Sequence, residues 1–101
     1  MTAETTLAAE TLTYLESLWE HPINKDQEGN SWLVVPDPEA CAKIKEALLR
    51  LRGEAGTPLW NVFSYVEATL QTIPLQGVQR AVHKGQIFSS MNQLRNLVRK
   101  V

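Results

Sequence analysis

The chain has 101 residues, with 10 Lys and Arg against 11 Asp and Glu, so its formal net charge is −1. That length predicts one domain, residues 1–101, whose folded form can bury about two-thirds of the chain's surface and so needs neither a disulfide nor a metal to hold a core. A hydrophobic content of 44% with 21% charged residues excludes a disordered chain, and no apolar run approaches the roughly 18 residues of a membrane span.

The opening Met1-Thr2-Ala3-Glu4 has no basic n-region and no apolar h-region, so it is not expected to be a signal peptide. From Thr6 to Glu20, Leu7, Thr11, Leu15 and Leu18 recur at 4-4-3 spacing, which predicts an amphipathic helix. Glu4, Glu10, Glu16 and Glu20 mostly avoid that stripe, and Pro22 pushes His21 out of the helical region, stopping the helix near Glu20. Residues 21–31 read as a polar loop. Trp32-Leu33-Val34-Val35, closed by Pro36, reads as a short strand or extended segment. Its backbone groups need partners. These are expected from a strand near Ile23 across a hairpin, from the same segment of a second chain, or from burial as a connector.

Asp37 as cap, Pro38 at the first helical position and Gly53 after the end mark a second helix, with Cys41, Ile44, Leu48 and Leu51 at 3-4-3. Glu39 with Lys43 and Glu46 with Arg50 are favourable i,i+4 pairs. Thr57-Pro58 repeats the signature for a third helix, in which Leu59, Phe63, Val66, Leu70 and Ile73 keep a 4-3-4-3 rhythm. Pro74 limits it to about Thr72, and its apolar character predicts a place at the centre of the fold. A fourth helix is expected over Leu75–His83, with Leu75, Val78 and Val82 inward and Gly85 after its end. The Ser90–Gln93 capping box then opens a last helix with Met91, Leu94, Val98 and Val101 inward. The expected fold is mainly α: a compact single-domain bundle of about five helices with one short strand or extended segment near residues 32–35.

Catalytic motifs are missing. No nucleotide-binding glycine loop, nucleophile elbow or H-E-x-x-H is present, and the five glycines are dispersed. The single cysteine, Cys41, cannot close an internal disulfide, and it lies on an apolar stripe where a thiol acts as a small hydrophobe. His21 and His83 are too far apart in sequence to form a ligand motif with it. The expectation is a non-enzymatic cytoplasmic protein with no cofactor, no metal and no membrane contact. Glu16 and Glu20 share a helical face, where a solvated pair is expected rather than acid–base chemistry.

Charge is unevenly distributed. Residues 1–40 hold eight acids against Lys25 alone, a net −7, whereas residues 68–101 hold five bases and no acid, a net +5. Three readings follow: the acidic first helix packs beside the basic last one, a basic face binds a polyanion, or one pole steers a protein partner. For the second, residues 75–101 resemble a helix-turn-helix in length, with a turn at Lys84–Phe88 and with Ala81, Gly85 and Met91 near its small, turn and anchor positions. Arg80, Lys84 and Gln86 depart from it by standing where the motif is apolar. Arg80, Lys84, Gln93, Arg95, Arg99 and Lys100 are the candidate nucleic-acid contacts. For the third, Trp19 and Trp32 flank the polar loop at element edges, where an indole is half covered, and with Glu16 and Glu20 they form the candidate protein-binding surface. Trp60 is expected in the core. The leading expectation is an interaction or regulatory module that binds another protein or itself; the alternative is a small nucleic-acid-binding regulator.

Overall fold

The computed structural model describes residues 2–20, 24–25, 31–32, 37–72 and 80–99, with backbone alone at 24–25, 31–32 and 80–83. Among these residues the chain forms four helices, α1 (Ala3–Glu20), α2 (Pro38–Leu51), α3 (Pro58–Thr72) and α4 (Arg80–Arg99), and a two-residue ladder of β1 (Asn24–Lys25) and β2 (Ser31–Trp32). The protein is mainly helical.

Each of the first three helices starts at an oxygen that satisfies an otherwise orphaned amide. Thr2 Oγ1 accepts the Thr5 N–H at 3.1 Å, which moves the start of α1 upstream of Thr6 to Ala3. Asp37 Oδ1 accepts the Ala40 N–H at 3.2 Å from a left-handed backbone (φ 47°), with Pro38 in the first turn. Thr57 Oγ1 accepts the Trp60 N–H at 3.2 Å and donates to the Glu54 carbonyl at 2.8 Å. Gly53, at φ 78°, follows α2 as expected.

Cross-helix contacts fix the arrangement. Tyr14 of α1 meets Cys41 near the start of α2. Arg52, just past α2, donates to Ser64 Oγ of α3 at 3.1 Å. Ser90 Oγ of α4 donates to Thr69 Oγ1 of α3 at 3.3 Å, and Trp19 at the end of α1 meets Lys84 and Phe88 in the first half of α4. Each sequential pair is therefore antiparallel, and α4 returns antiparallel to α1, the helix it packs against most extensively. This is an up-down-up-down four-helix bundle. Leu7, Leu15 and Leu18 of α1, Leu48 of α2, Phe63, Val66 and Leu70 of α3, and Ile87, Met91 and Leu94 of α4 fill its core. The centre is shared by all four helices, so α3 is one wall of a ring rather than a central element.

Three other sequence expectations need correction. The expected turn at Lys84–Phe88 is helical, and Gly85 lies inside α4 rather than after a helix. Ile87, Met91, Leu94 and Val98 form one unbroken 4-3-4 stripe across that point. Burying Ile87 or Met91 stabilises by about 1.5–3 kcal/mol each, which outweighs the roughly 1 kcal/mol that an internal glycine costs. Ser90 consequently does not cap a helix; it is fully buried against Thr69. Trp60 is half-buried rather than in the core, with the Arg52 guanidinium 5.0 Å from its ring centroid.

The ladder pairs Asn24 with Trp32 and Lys25 with Ser31, antiparallel. Of the three partners expected for the strand, this is the hairpin within one chain. The remainder of that segment, residues 33–35, lies outside the described residues, as do Ile23, His21 and the expected helical start at Leu75 and Val78.

Candidate functional site

The seam between α1 and α4 carries the most distinctive surface. Trp19 stands on the shoulder of the α1 core stripe, so its indole is half-buried. Across the seam, Lys84 and Phe88 are one helical turn apart on α4. The Lys84 ammonium lies 4.2 Å from the Trp19 ring centroid, and the Phe88 ring lies 6.0 Å away at 44°. Phe88 remains 51% exposed, the most exposed large apolar side chain among the described residues. Trp19 thus meets both a cation and an aromatic ring of α4, interactions worth about 0.5–1 kcal/mol each at such a site. Much of the Phe88 ring is left for another molecule.

The candidate protein-binding residues converge in part. Glu16 and Glu20 are exposed, and at about 100° per residue they lie about 40° apart on the outer side of Trp19. Trp32 sits in β2, paired through its backbone with Asn24, and its side chain lies outside the described residues. Phe88 was missed by sequence reasoning, because placing it in a turn hid its i,i+4 relation to Lys84. The signal lies in the continuity of the Ile87–Met91–Leu94 stripe, which puts residue 88 on the flank of a helix.

The candidate nucleic-acid residues do not assemble as expected. With residues 84–88 helical, no turn separates a recognition helix from its predecessor. Gln93 Nε2 donates to Ser89 Oγ at 3.2 Å and Arg95 Nη1 to Asn92 Oδ1 at 3.3 Å, both within α4. Arg99 is exposed. Arg80 opens α4 with its side chain outside the described residues, where Lys100 also lies.

Other polar features are local. Burial, strengthened by a hydrogen bond with the Cys41 thiol and by the charges of Cys41 and Asp37, holds the Tyr14 phenol neutral well above the ordinary tyrosine range. Cys41 itself is buried, as its place on the apolar stripe predicts. A cavity of about 110 Å³ between α3 and α4 is lined by Tyr65, Ala68, Thr69, Thr72 and Gln86, and Gln86 Oε1 has no hydrogen-bond partner there among the described residues. Among the described residues no three His, Cys, Asp or Glu side chains are grouped to hold a metal ion, and no helix is long and apolar enough to cross a membrane.

Fold and surface together define a class: a small antiparallel four-helix bundle with an aromatic–cation patch at one seam. Comparison with protein-family models, curated proteins and solved structures finds no match for the chain.

Proposed function

We propose that this protein is a non-enzymatic docking module that engages another protein chain through the Trp19–Lys84–Phe88 patch, with Glu16 and Glu20 beside it. The observation that carries the reading is Phe88, half exposed yet held against Trp19 on the face of a rigid helix. A large apolar ring at such a position exposes area that gains free energy only when covered, and aromatic anchors backed by rigid neighbours dominate interface energetics. Lys84 on the Trp19 face and the two glutamates supply a polar rim.

The test compares partners captured by the wild-type chain, by Phe88→Glu and by Leu49→Glu. Leu49 is 43% exposed on α2, away from the α1–α4 seam, and serves as the control. Loss of the same captured chain in Phe88→Glu and its retention in Leu49→Glu is expected. Equal capture by all three refutes the reading.

A further inference from the structure

We infer that the partner seated on this patch is an acidic amphipathic helix of another protein, with a large apolar residue on Phe88 and two carboxylates over Arg95 and Arg99. This rests on the docking reading above and names the chemistry of its partner.

Helix geometry sets the row. At about 100° per residue, Arg95 and Arg99 each lie within about 20° of Phe88 round α4, and Asn92 within about 40°. At about 1.5 Å per residue, the two arginines stand about 10 Å and 16 Å further along the helix. Phe88, Asn92 and Arg99 are exposed and Arg95 is half-buried, so the row is open along its length. Arg95 is tied to its own helix, through Nη1 to Asn92 Oδ1 at 3.3 Å. No acid occurs in α4.

The opposite wall adds no acid to the Arg95–Arg99 end. Because α1 runs antiparallel to α4 with Trp19 beside Lys84 and Phe88, its early residues border the two arginines. On the flank that faces α4 these are Leu12, Ala9, Thr5 and Thr2, all uncharged. Glu4 falls in line with Thr11 and Leu15 on the core side, and Glu10 lies about 180° round α1 from Trp19. Among the described residues, neither guanidinium is in an ion pair.

The charges also fix an order along the seam. Glu16 and Glu20 are within about 5 Å of Trp19 along α1 and stand level with Lys84 and Phe88. An acid on the partner is therefore opposed at the Phe88 end and favoured at the Arg99 end. A nucleic acid carries its charge evenly along its length and meets the glutamates wherever it covers Phe88. A protein helix can place an apolar anchor at one end and its acids at the other, and it fits the long groove between two packed helices. Its rise matches that of α4. The complementary pattern is thus two acids four residues apart, with a large apolar residue seven from the nearer acid.

Fluorescence anisotropy tests this with labelled, capped helical peptides of about 18 residues on an alanine–glutamine background. The first carries two Glu and one Leu in that pattern, the second has Lys in place of each Glu, and the third moves both Glu to the side away from Leu. At about 20 mM salt, where exposed charges are least screened, the first peptide is expected to bind wild type with a Kd of about 10–100 µM. It should bind at least tenfold tighter than the other two. Arg95→Glu with Arg99→Glu should reverse the preference in favour of the Lys peptide, and Phe88→Glu should weaken the first peptide at least tenfold. Helical circular dichroism confirms that each variant folds. Equal binding of the three peptides overturns the inference, as does a preference for the first that survives the arginine reversal. A short DNA duplex that binds through Arg95 and Arg99 while the first peptide does not also overturns it. If the peptides fail while a captured chain is still lost in Phe88→Glu, the acidic helix falls and the docking reading stands; if capture is indifferent to Phe88→Glu as well, both fall.

Discussion

Replacing Gly85 by Ala tests the continuity of α4 by the sign of a single number. Gly85 is exposed within the helix, its φ is not in the left-handed region, and a Cβ built there meets nothing within 4 Å. The methyl group therefore neither clashes nor buries area, and what remains is the backbone term. In a helix interior, Ala is favoured over Gly by about 0.8–1.0 kcal/mol. For a chain of 101 residues that raises Tm by about 4–8 °C. Were Gly85 the left-handed residue of a helix-turn-helix, the same change would cost about 1–2 kcal/mol, so the two geometries differ by roughly 2–3 kcal/mol and in direction. Gly53 and Gly56, at φ 78° and 91°, are internal controls where Ala should lower stability. Thermal and urea denaturation followed by helical circular dichroism, at concentrations too low for association to contribute, make the measurement. A Gly85→Ala chain no more stable than wild type refutes the continuous helix.

Thr11 is fully buried and its Oγ1 has no hydrogen-bond partner among the described residues, so Thr11→Val should stabilise by about 1 kcal/mol in the same denaturation assay. Tyr14 titrates above its ordinary value of 10.0 in the folded chain, so the fold binds the extra proton. The stability this contributes is complete below pH 10 and is lost as pH rises toward the folded value, at about 1.4 kcal/mol per pH unit. Urea midpoints across alkaline pH should fall more steeply in wild type than in Tyr14→Phe, and parallel curves would contradict the burial argument. Glu20 stands at the negative end of α1, so Glu20→Lys should raise folding stability by about 0.3–1 kcal/mol at low salt, with the gain disappearing as salt is added.

The sequence was most legible where local chemistry and periodicity agree. Asp37-Pro38 and Thr57-Pro58 each put a capping oxygen before a residue already restricted to helical φ, and the observed starts of α2 and α3 are at Pro38 and Pro58. The half-covered indole of Trp19 follows from its place at the edge of a regular stripe. Legibility failed where local and tertiary preferences conflict. Gly85 and the Ser90–Gln93 pattern both favour a break, and only the packing of Ile87 and Ser90 against neighbouring helices overrides them. Phe88 followed that error, because its exposure and its contact with Trp19 exist only if residues 84–88 are helical. Trp60 failed differently. Its spacing is apolar, but a guanidinium from the preceding connection covers the ring in place of core side chains.

The small net charge conceals an arrangement that folding alone does not favour. An isolated helix gains from acids at its start and bases at its end. Here α1 has no base in its last turn and carries Glu20 as its final residue, while α4 has no acid in its first turn and opens with Arg80. Each helix thus carries the disfavoured sign at the end that borders Trp19 and Phe88. The neighbouring antiparallel helix offsets part of the cost, since unlike ends adjoin, but among the described residues no ion pair across the seam completes the compensation. The apolar core holds most of the bundle together, and Lys84 adds to it through its contact with the Trp19 ring. The core and these surface charges therefore draw on separable physics. Salt should leave the core nearly untouched and act on the charges at the helix ends, because exposed charges are screened while buried leucines are not.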